Sequence, residues 1–189
     1  KLLEAALAGD GAPVFLILGD ATLLVDRAVD RVQAWALERC GLPAFNHGTW
    51  RCSDGRAGEG LSTARTIPMM ADRRLVVIRE LEQGDAALHE AVVDYVGDPS
   101  PTTVLVLTGS KFQAPRKGQK AWGTRITNAV KKSGVVLNFK LTDVRPVPFA
   151  VEQARALGKT LGRREAELLV NVVGGDPGLL ASELEKLAL

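Results

Sequence analysis

Short apolar runs rich in β-branched residues alternate along the chain with longer segments whose apolar residues recur at helical spacing. This alternation predicts an α/β fold with a mostly parallel sheet, because a parallel strand covered by helices on both faces is apolar throughout. The predicted strands cover residues 14–18, 46–52, 75–78, 103–107 and 135–139.

The segments between these strands predict helices with recognisable ends. Asp20 is expected to cap a helix that Gly41 stops, and residues 86–96 form a second helix with an apolar face. A basic helix near Lys132 is followed by Gly134. The glycine-rich residues 55–60 predict a flexible loop, followed by a short helix through residues 61–65.

The composition changes at residues 145–148, where two prolines rule out a continuous helix or a central strand. We therefore predict one domain over residues 1–145 and a second over residues 146–189. The second domain reads as three helices, at residues 148–157, 163–173 and 177–189, with Asp176 as the cap of the last and Pro177 at its first position.

The overall composition is that of a globular protein and sets limits on its class. The chain has 189 residues, 46% of them hydrophobic and 24% charged, and no apolar run approaches the length needed to cross a bilayer. Cys40 and Cys52 are too few for a disulfide framework, which favours a reducing cytoplasm. Lys1 stands where an initiator methionine would be, so we expect a piece of a longer protein.

The net charge of +2 hides a strongly basic stretch that we call the basic block, residues 111–140, which contains no acidic residue. Such a block can contact phosphate groups or an acidic partner, although a solvated helix face is the commoner explanation of such a pattern. Its basic residues are Lys111, Arg116, Lys117, Lys120, Arg125, Lys131, Lys132 and Lys140.

The nucleotide-binding motifs expected of such an α/β chain are missing. The turn after the first strand, residues 18–24, has no G-x-x-x-x-G-K-[ST], and Asp20 would repel phosphate. The strand at residues 75–78 runs into Arg79 where a magnesium-binding carboxylate would stand. Too few histidines and cysteines accompany His47 and Cys52 for a metal site, so no cofactor or metal is predicted.

Residues 66–74, which we call the methionine segment, contain both methionines of the chain, Met69 and Met70. Neighbouring side chains near a helix end point about 100° apart, so at least one methionine is expected to be exposed. Methionine suits a surface that fills a pocket on a partner. The alternative is that the pair seals the edge of the core.

Several landmarks in the same order resemble the delta subunit family of the bacterial DNA polymerase III clamp loader. Besides Met69-Met70, they are the opening strand and turn at residues 15–20, Phe45-Asn46, residues 71–77, 103–107 and 134–139, and the Glu-Leu-Glu-Lys-Leu sequence at residues 183–187. The methionine pair departs from the aromatic residue or leucine common at this position in the family.

This resemblance implies a Rossmann-like, three-layer AAA+ type domain with a five-stranded sheet, followed by a small all-helical lid; the family's collar domain would follow Leu189. It implies a subunit without catalytic residues, within a DNA-directed DNA polymerase holoenzyme, that binds and opens the sliding clamp. Other partners would be the motor and delta-prime type subunits and primer-template DNA. The implied clamp-binding residues are Ile67, Pro68, Met69, Met70, Ala71 and Arg73.

Two other functions stay open. One is a nucleic-acid-binding domain of degenerate NTPase descent, whose working surface is the basic block with Lys111, Arg116, Lys117, Lys120, Arg125, Lys131 and Lys132. The other is an ATPase with an unusual phosphate loop, which lacks every usual phosphate and magnesium ligand.

Overall fold

The structure is a computed structural model that describes residues 2–9, 11–112 and 120–189. It divides into two compact units. The first contains residues up to Leu18 together with Arg27–Asn138, and the second contains Gly19–Asp26 with Phe139–Leu189. The predicted domain boundary after residue 145 stays a prediction.

The described residues form five strands and nine α-helices, joined in places by 3₁₀ turns. The strands are β1 (Val14–Gly19), β2 (His47–Arg51), β3 (Arg74–Arg79), β4 (Thr103–Gly109) and β5 (Val135–Phe139). The helices are α1 (Leu2–Ala6), α2 (Thr22–Leu37), α3 (Pro43–Asn46), α4 (Ala57–Ala64), α5 (Ala86–Gly97), α6 (Trp122–Ser133), α7 (Pro146–Ala156), α8 (Arg163–Val173) and α9 (Pro177–Leu187). None of these helices is long and apolar enough to cross a membrane.

The strands form one parallel sheet with the order β2-β3-β4-β1-β5. The register pairs Val76 of β3 with Gly48 of β2 on one side and with Leu105 of β4 on the other. The two central strands are buried along nearly their whole length. The α/β class and the five predicted strands are therefore confirmed.

Helices α4, α5 and α6 contribute to the core of the first unit, which is built on the apolar residues of the central strands. Leu61 of α4, Val92 of α5 and Ile126 of α6 are all buried there. Tyr95 donates a hydrogen bond from its hydroxyl to the Ala64 carbonyl oxygen, at 3.4 Å. The sheet and these helices thus form a rigid support for the loops between them.

The second unit contains α7, α8 and α9, which pack around small side chains. Ala150, Ala154 and Ala166 are buried together with Leu184. The Asp176 carboxylate accepts a hydrogen bond from the Leu179 N–H at 3.0 Å, so the predicted cap of the last helix is confirmed.

Two local predictions were wrong. Residues 57–60 of the glycine-rich stretch form the first turn of α4, because this helix buries Gly60 and Leu61, and Gly60 leaves room for the Trp50 ring. The Asp20 carboxylate accepts the Leu141 N–H at 2.7 Å, and α2 begins two residues after it, at Thr22. The short helices α1 and α3 were not predicted.

Candidate functional site

The methionine segment connects the end of α4 to the start of β3, so it lies at the edge of the sheet where the parallel strands begin. Pro68 and Arg74 are its buried residues. Ile67 is 86% exposed, Met69 50% and Met70 83%. The segment therefore presents three large apolar side chains to solvent and does not seal the core edge with them.

A buried amide holds this segment in place. The Asn46 side chain is 1% exposed, and its Oδ1 accepts the Met69 N–H at 2.7 Å. Its Nδ2 donates to the Met69 carbonyl oxygen at 2.8 Å and to the Gly41 carbonyl oxygen at 2.6 Å. One side chain thus satisfies both backbone groups of Met69, as a neighbouring strand would.

Hydrogen bonds also lie near both ends of the segment. The Thr103 hydroxyl donates to the Ala64 carbonyl oxygen at 2.8 Å, where α4 ends. The Arg74 guanidinium is nearly buried and donates to the Ile67 carbonyl oxygen at 3.2 Å. The Arg74 N–H also donates to the Thr102 carbonyl oxygen at 2.8 Å. The methionines therefore lie on a loop whose middle and C-terminal end are bonded to the body of the unit.

The backbone at Met70 is strained. Its φ is +50°, and among the described residues the other non-glycine residues with positive φ are Leu42 and Glu80. A side chain with a Cβ costs roughly 1–2 kcal/mol in this left-handed region. Such strain persists only where surrounding contacts impose it, and here the Asn46 amide bonds to the residue just before Met70.

Two exposed apolar residues beside the methionines were missed from the sequence. Leu42 is 48% exposed and Phe45 is 60% exposed, and both belong to the turn that contains α3. In the sequence, Phe45 stands out only as a family landmark before the second strand. A helix of four residues has no periodic pattern, so its exposed face could not be read from the sequence.

The remaining predicted clamp-binding residues are partly covered. Ala71 is half-buried and lies next to Gly41, where an added Cβ would come within 3.4 Å of the Ala71 Cβ. The Arg73 guanidinium stacks over the Trp35 ring at 5.9 Å from its centroid. The structure thus brings all six residues into one loop, with Ile67 and the methionines outermost.

The basic block is divided between paired and unpaired cations. The Lys120 ammonium lies 3.0 Å from Glu90, and Arg125 lies 3.8 Å from the same carboxylate while stacking on Trp122. Glu90 has its pKa lowered by the Lys120 hydrogen bond and by the nearby cations. These two residues are engaged within the fold, so they are not a free phosphate-binding pair.

Lys111, Lys131 and Lys132 are exposed, and none of them forms an ion pair within the described part of the chain. Lys131 and Lys132 occupy the last turn of α6, where a cation is stabilised by the helix dipole. Arg116 and Lys117 lie outside the described residues. Among its described residues, the basic block therefore offers an exposed lysine pair at the end of α6.

The turn after β1 is occupied by other parts of its own unit. The Ala21 N–H donates to the Phe139 carbonyl oxygen at 3.1 Å, and a Cβ at Gly19 would lie 1.9 Å from the same oxygen. The Asp20 carboxylate is bonded to the Leu141 N–H. The groups that would face a phosphate are thus engaged, and the absence of ATP from this turn stays a prediction.

The carboxylate nearest the end of β3 is also engaged. Glu80 accepts hydrogen bonds from Arg51 at 2.6 Å and from the Ser53 hydroxyl. The Ser53 bond, followed by those from Arg51, lowers the pKa of Glu80. To bind magnesium, the Glu80 carboxylate would have to release both Arg51 and Ser53.

Cys52 and His47 have the properties of packed residues. Burial, together with the carboxylates of Glu82, Glu80 and Asp85, raises the pKa of the Cys52 thiol to about 11. Burial also lowers the pKa of His47. The described residues contain no group of three potential metal ligands.

The model of the family described as DNA polymerase III, delta subunit, matches residues 15–140. The chain belongs to this delta-subunit family. The match covers the sheet, the methionine segment and the basic block.

Delta-subunit relatives extend the similarity over nearly the whole chain. DNA polymerase III subunit delta of Bacillus subtilis is 26% identical over 192 residues, which is 95% of this chain and 52% of that protein. The solved Bacillus subtilis DNA clamp loader delta protein matches with a TM-score of 0.67 at 25% identity, over 98% of this chain and 56% of that one. The chain thus spans about half the length of its delta relatives.

More distant structures show the fold alone. A DNA polymerase III gamma-subunit-related protein of Thermotoga maritima matches with a TM-score of 0.52 at 14% identity, over 97% of this chain and 71% of that one. A RuvB mutant of the same organism matches with a TM-score of 0.54 at 13% identity, over 97% and 57%. Together with the delta match, they confirm the predicted AAA+-like fold.

Proposed function

We propose that this chain is the part of a clamp-loader delta subunit that binds the sliding clamp and holds the ring open for loading onto primed DNA. Family membership supports the clamp-loader role and a place in DNA replication. The contact with the clamp is proposed from the chain's own surface. Its partners would be the clamp, the motor and delta-prime type subunits, and primer-template DNA.

The observation that carries this proposal is the exposed pair Met69-Met70 on an ordered loop. Burying one methionine side chain in an apolar pocket contributes roughly 1.5–3 kcal/mol. The loop is already bonded to the body of the unit, so little conformational entropy is lost when a partner covers it. Two such side chains suffice to anchor an interface.

The mechanism is differential binding. A subunit that prefers the open conformation of one clamp interface shifts the ring toward opening by the free energy of that preference. No bond is made or broken by this chain, and the motor subunits would supply the ATP hydrolysis. The sheet would act as a rigid mount, because the Asn46 amide bonds the middle of the methionine segment to the turn before β2, and the Arg74 N–H bonds its end to Thr102.

The test is the affinity of the chain for the sliding clamp of its own organism. The Met69→Ala, Met70→Ala double variant is expected to bind at least about tenfold more weakly, which corresponds to about 1.4 kcal/mol. Isothermal titration calorimetry measures the affinity, and circular dichroism verifies the fold. A pair of fluorophores across one clamp interface reports ring opening in the same samples.

A matched control removes two exposed apolar side chains from the second unit. Leu168 is 65% exposed and Val172 is 85% exposed, so the Leu168→Ala, Val172→Ala variant loses comparable surface. It is expected to bind the clamp like the parent chain. Equal binding by the methionine variant would move the contact elsewhere, and loss in both variants would make exposed hydrophobicity in general the cause.

A further inference from the structure

The turn that contains α3 carries an exposed aromatic residue without a role in the proposed function so far. Phe45 is 60% exposed and Leu42, three residues earlier, is 48% exposed. Aromatic side chains are among the strongest contributors to protein interfaces, because they bury a large area with few rotatable bonds. An exposed Phe beside an exposed Leu is therefore a candidate contact surface, and its link to the methionine segment decides the assignment.

This turn is bonded to the methionine segment. The Asn46 amide connects the Gly41 carbonyl oxygen to both backbone groups of Met69. An added Cβ at Gly41 would approach the Met70 carbonyl oxygen to 3.3 Å, so the two backbones are in close contact. Residues 41–46 and 69–71 thus form one body through a single buried side chain.

The sheet register places both segments at the same edge. The turn leads into β2 and the methionine segment leads into β3, and these neighbouring parallel strands pair His47 with Leu75. Both segments enter the sheet at the ends where parallel strands begin. The turn and the methionine segment therefore lie side by side at this edge.

We propose that the clamp-contacting surface has two halves, Met69-Met70 and Leu42 with Phe45, which the Asn46 amide holds together as one preformed apolar patch. This inference rests on the proposed function and names the sliding clamp as its occupant. The reason is continuity, because the two halves share one buried amide and one sheet edge. Asn46 is a positioning residue and does not itself touch the clamp.

The first experiment measures the clamp affinity of Phe45→Ala. This variant is expected to bind at least about fivefold more weakly, or about 1 kcal/mol, because a hot-spot side chain is lost. The matched control is Leu2→Ala, since Leu2 is 59% exposed and lies outside the patch. The control is expected to bind within about twofold of the parent chain.

The outcomes separate this inference from the proposed function. Loss of affinity in both Phe45→Ala and the methionine double variant supports the two halves. If the methionine variant loses affinity and Phe45→Ala does not, the second half is overturned and the proposed function stands. If neither variant loses affinity, both are overturned.

A second experiment tests whether the patch is preformed, without using the clamp. Hydrogen exchange of the Met69 amide in the free chain is expected to be slow, because this N–H is bonded to Asn46 Oδ1 at 2.7 Å. In Asn46→Ala it is expected to exchange at least about tenfold faster, with the amides of β3 still protected. Exchange of the parent Met69 amide at the rate of an unstructured peptide would overturn the preformed patch.

Discussion

Two of the three non-glycine residues with positive φ in the described part of the chain lie in the apolar patch. Leu42 and Met70 both have positive φ, at +52° and +50°, and both are exposed apolar residues. Selection for stability alone would place glycine or asparagine in such a conformation. Leucine and methionine at these strained positions favour a function for the two side chains themselves.

Met70→Gly is expected to leave the free energy of unfolding unchanged or to raise it by up to about 1 kcal/mol, because strain relief exceeds the entropy cost of glycine. Clamp affinity is expected to fall in the same variant. Urea unfolding and calorimetry measure the two quantities.

Met69→Gly is the matched control, since Met69 has no positive φ. It is expected to lower the free energy of unfolding by roughly 0.5–1 kcal/mol, the ordinary cost of an added glycine. A loss of stability in Met70→Gly as large as in this control would show that φ at Met70 carries no strain.

The hydrogen bonds of Asn46 show the limit of sequence reasoning at the residue scale. Its bond to Met69 joins residues 23 positions apart, and no local pattern encodes such a pair. The exposure of at least one methionine could be predicted, because two neighbouring long apolar side chains cannot both face a core. The Asn46 amide that orders them could not be predicted from the sequence.

At the scale of elements, the strands could be predicted from apolar runs more reliably than the loops could be predicted from glycine content. Strand β4 has every residue buried, so its continuous apolar sequence was a reliable signal. Helix α4 contains Gly58 and Gly60, which favour a loop by propensity. Packing of Leu61 and Ala64 into the core overrides that preference.

Substitution of the exposed lysines of helix α6 distinguishes the clamp-binding function from the nucleic-acid alternative. The Lys131→Ala, Lys132→Ala variant is expected to keep its clamp affinity within about twofold, because an apolar contact responds weakly to charge and salt. Calorimetric titrations at low and high salt provide the measurement. A steep salt dependence of clamp binding that this variant abolishes would make the lysine pair the contact.

Lys120→Ala is the control on the same block, since Lys120 already pairs with Glu90. For any binding to duplex DNA, each lost phosphate contact lowers the slope of log K against log salt by about 0.9. The Lys131→Ala, Lys132→Ala variant is therefore expected to reduce the magnitude of this slope by about 1.8, and Lys120→Ala by less than about 0.9.

At the scale of the whole molecule, the chain has an AAA+-like fold, but the groups that would face a phosphate at the turn after β1 are hydrogen-bonded to other parts of the protein. The Ala21 N–H is bonded to the Phe139 carbonyl oxygen, and the Asp20 carboxylate to the Leu141 N–H. The missing motifs could be read from the sequence, because phosphate loops have a fixed spacing. The bond between Asp20 and Leu141 joins residues 121 positions apart and could not be read from the sequence.

Magnesium ATP at about 1 mM is expected to leave the thermal unfolding midpoint of the chain unchanged. A ligand present at a hundred times its Kd would stabilise the chain by about 2.7 kcal/mol, which differential scanning calorimetry detects. A clear rise in the midpoint would contradict the engaged turn and favour the ATPase alternative. Sodium phosphate at the same ionic strength is the control for salt effects.

The buried amide of Asn46 has a consequence for anyone who wishes to imitate this surface. A short synthetic peptide copied from residues 66–74 would carry the methionines but lack the group that saturates the Met69 backbone. Such a mimic would sample many shapes and bind poorly, because ordering it costs conformational entropy. A useful inhibitor must include the turn that precedes β2, or a cyclic scaffold with an amide in its place.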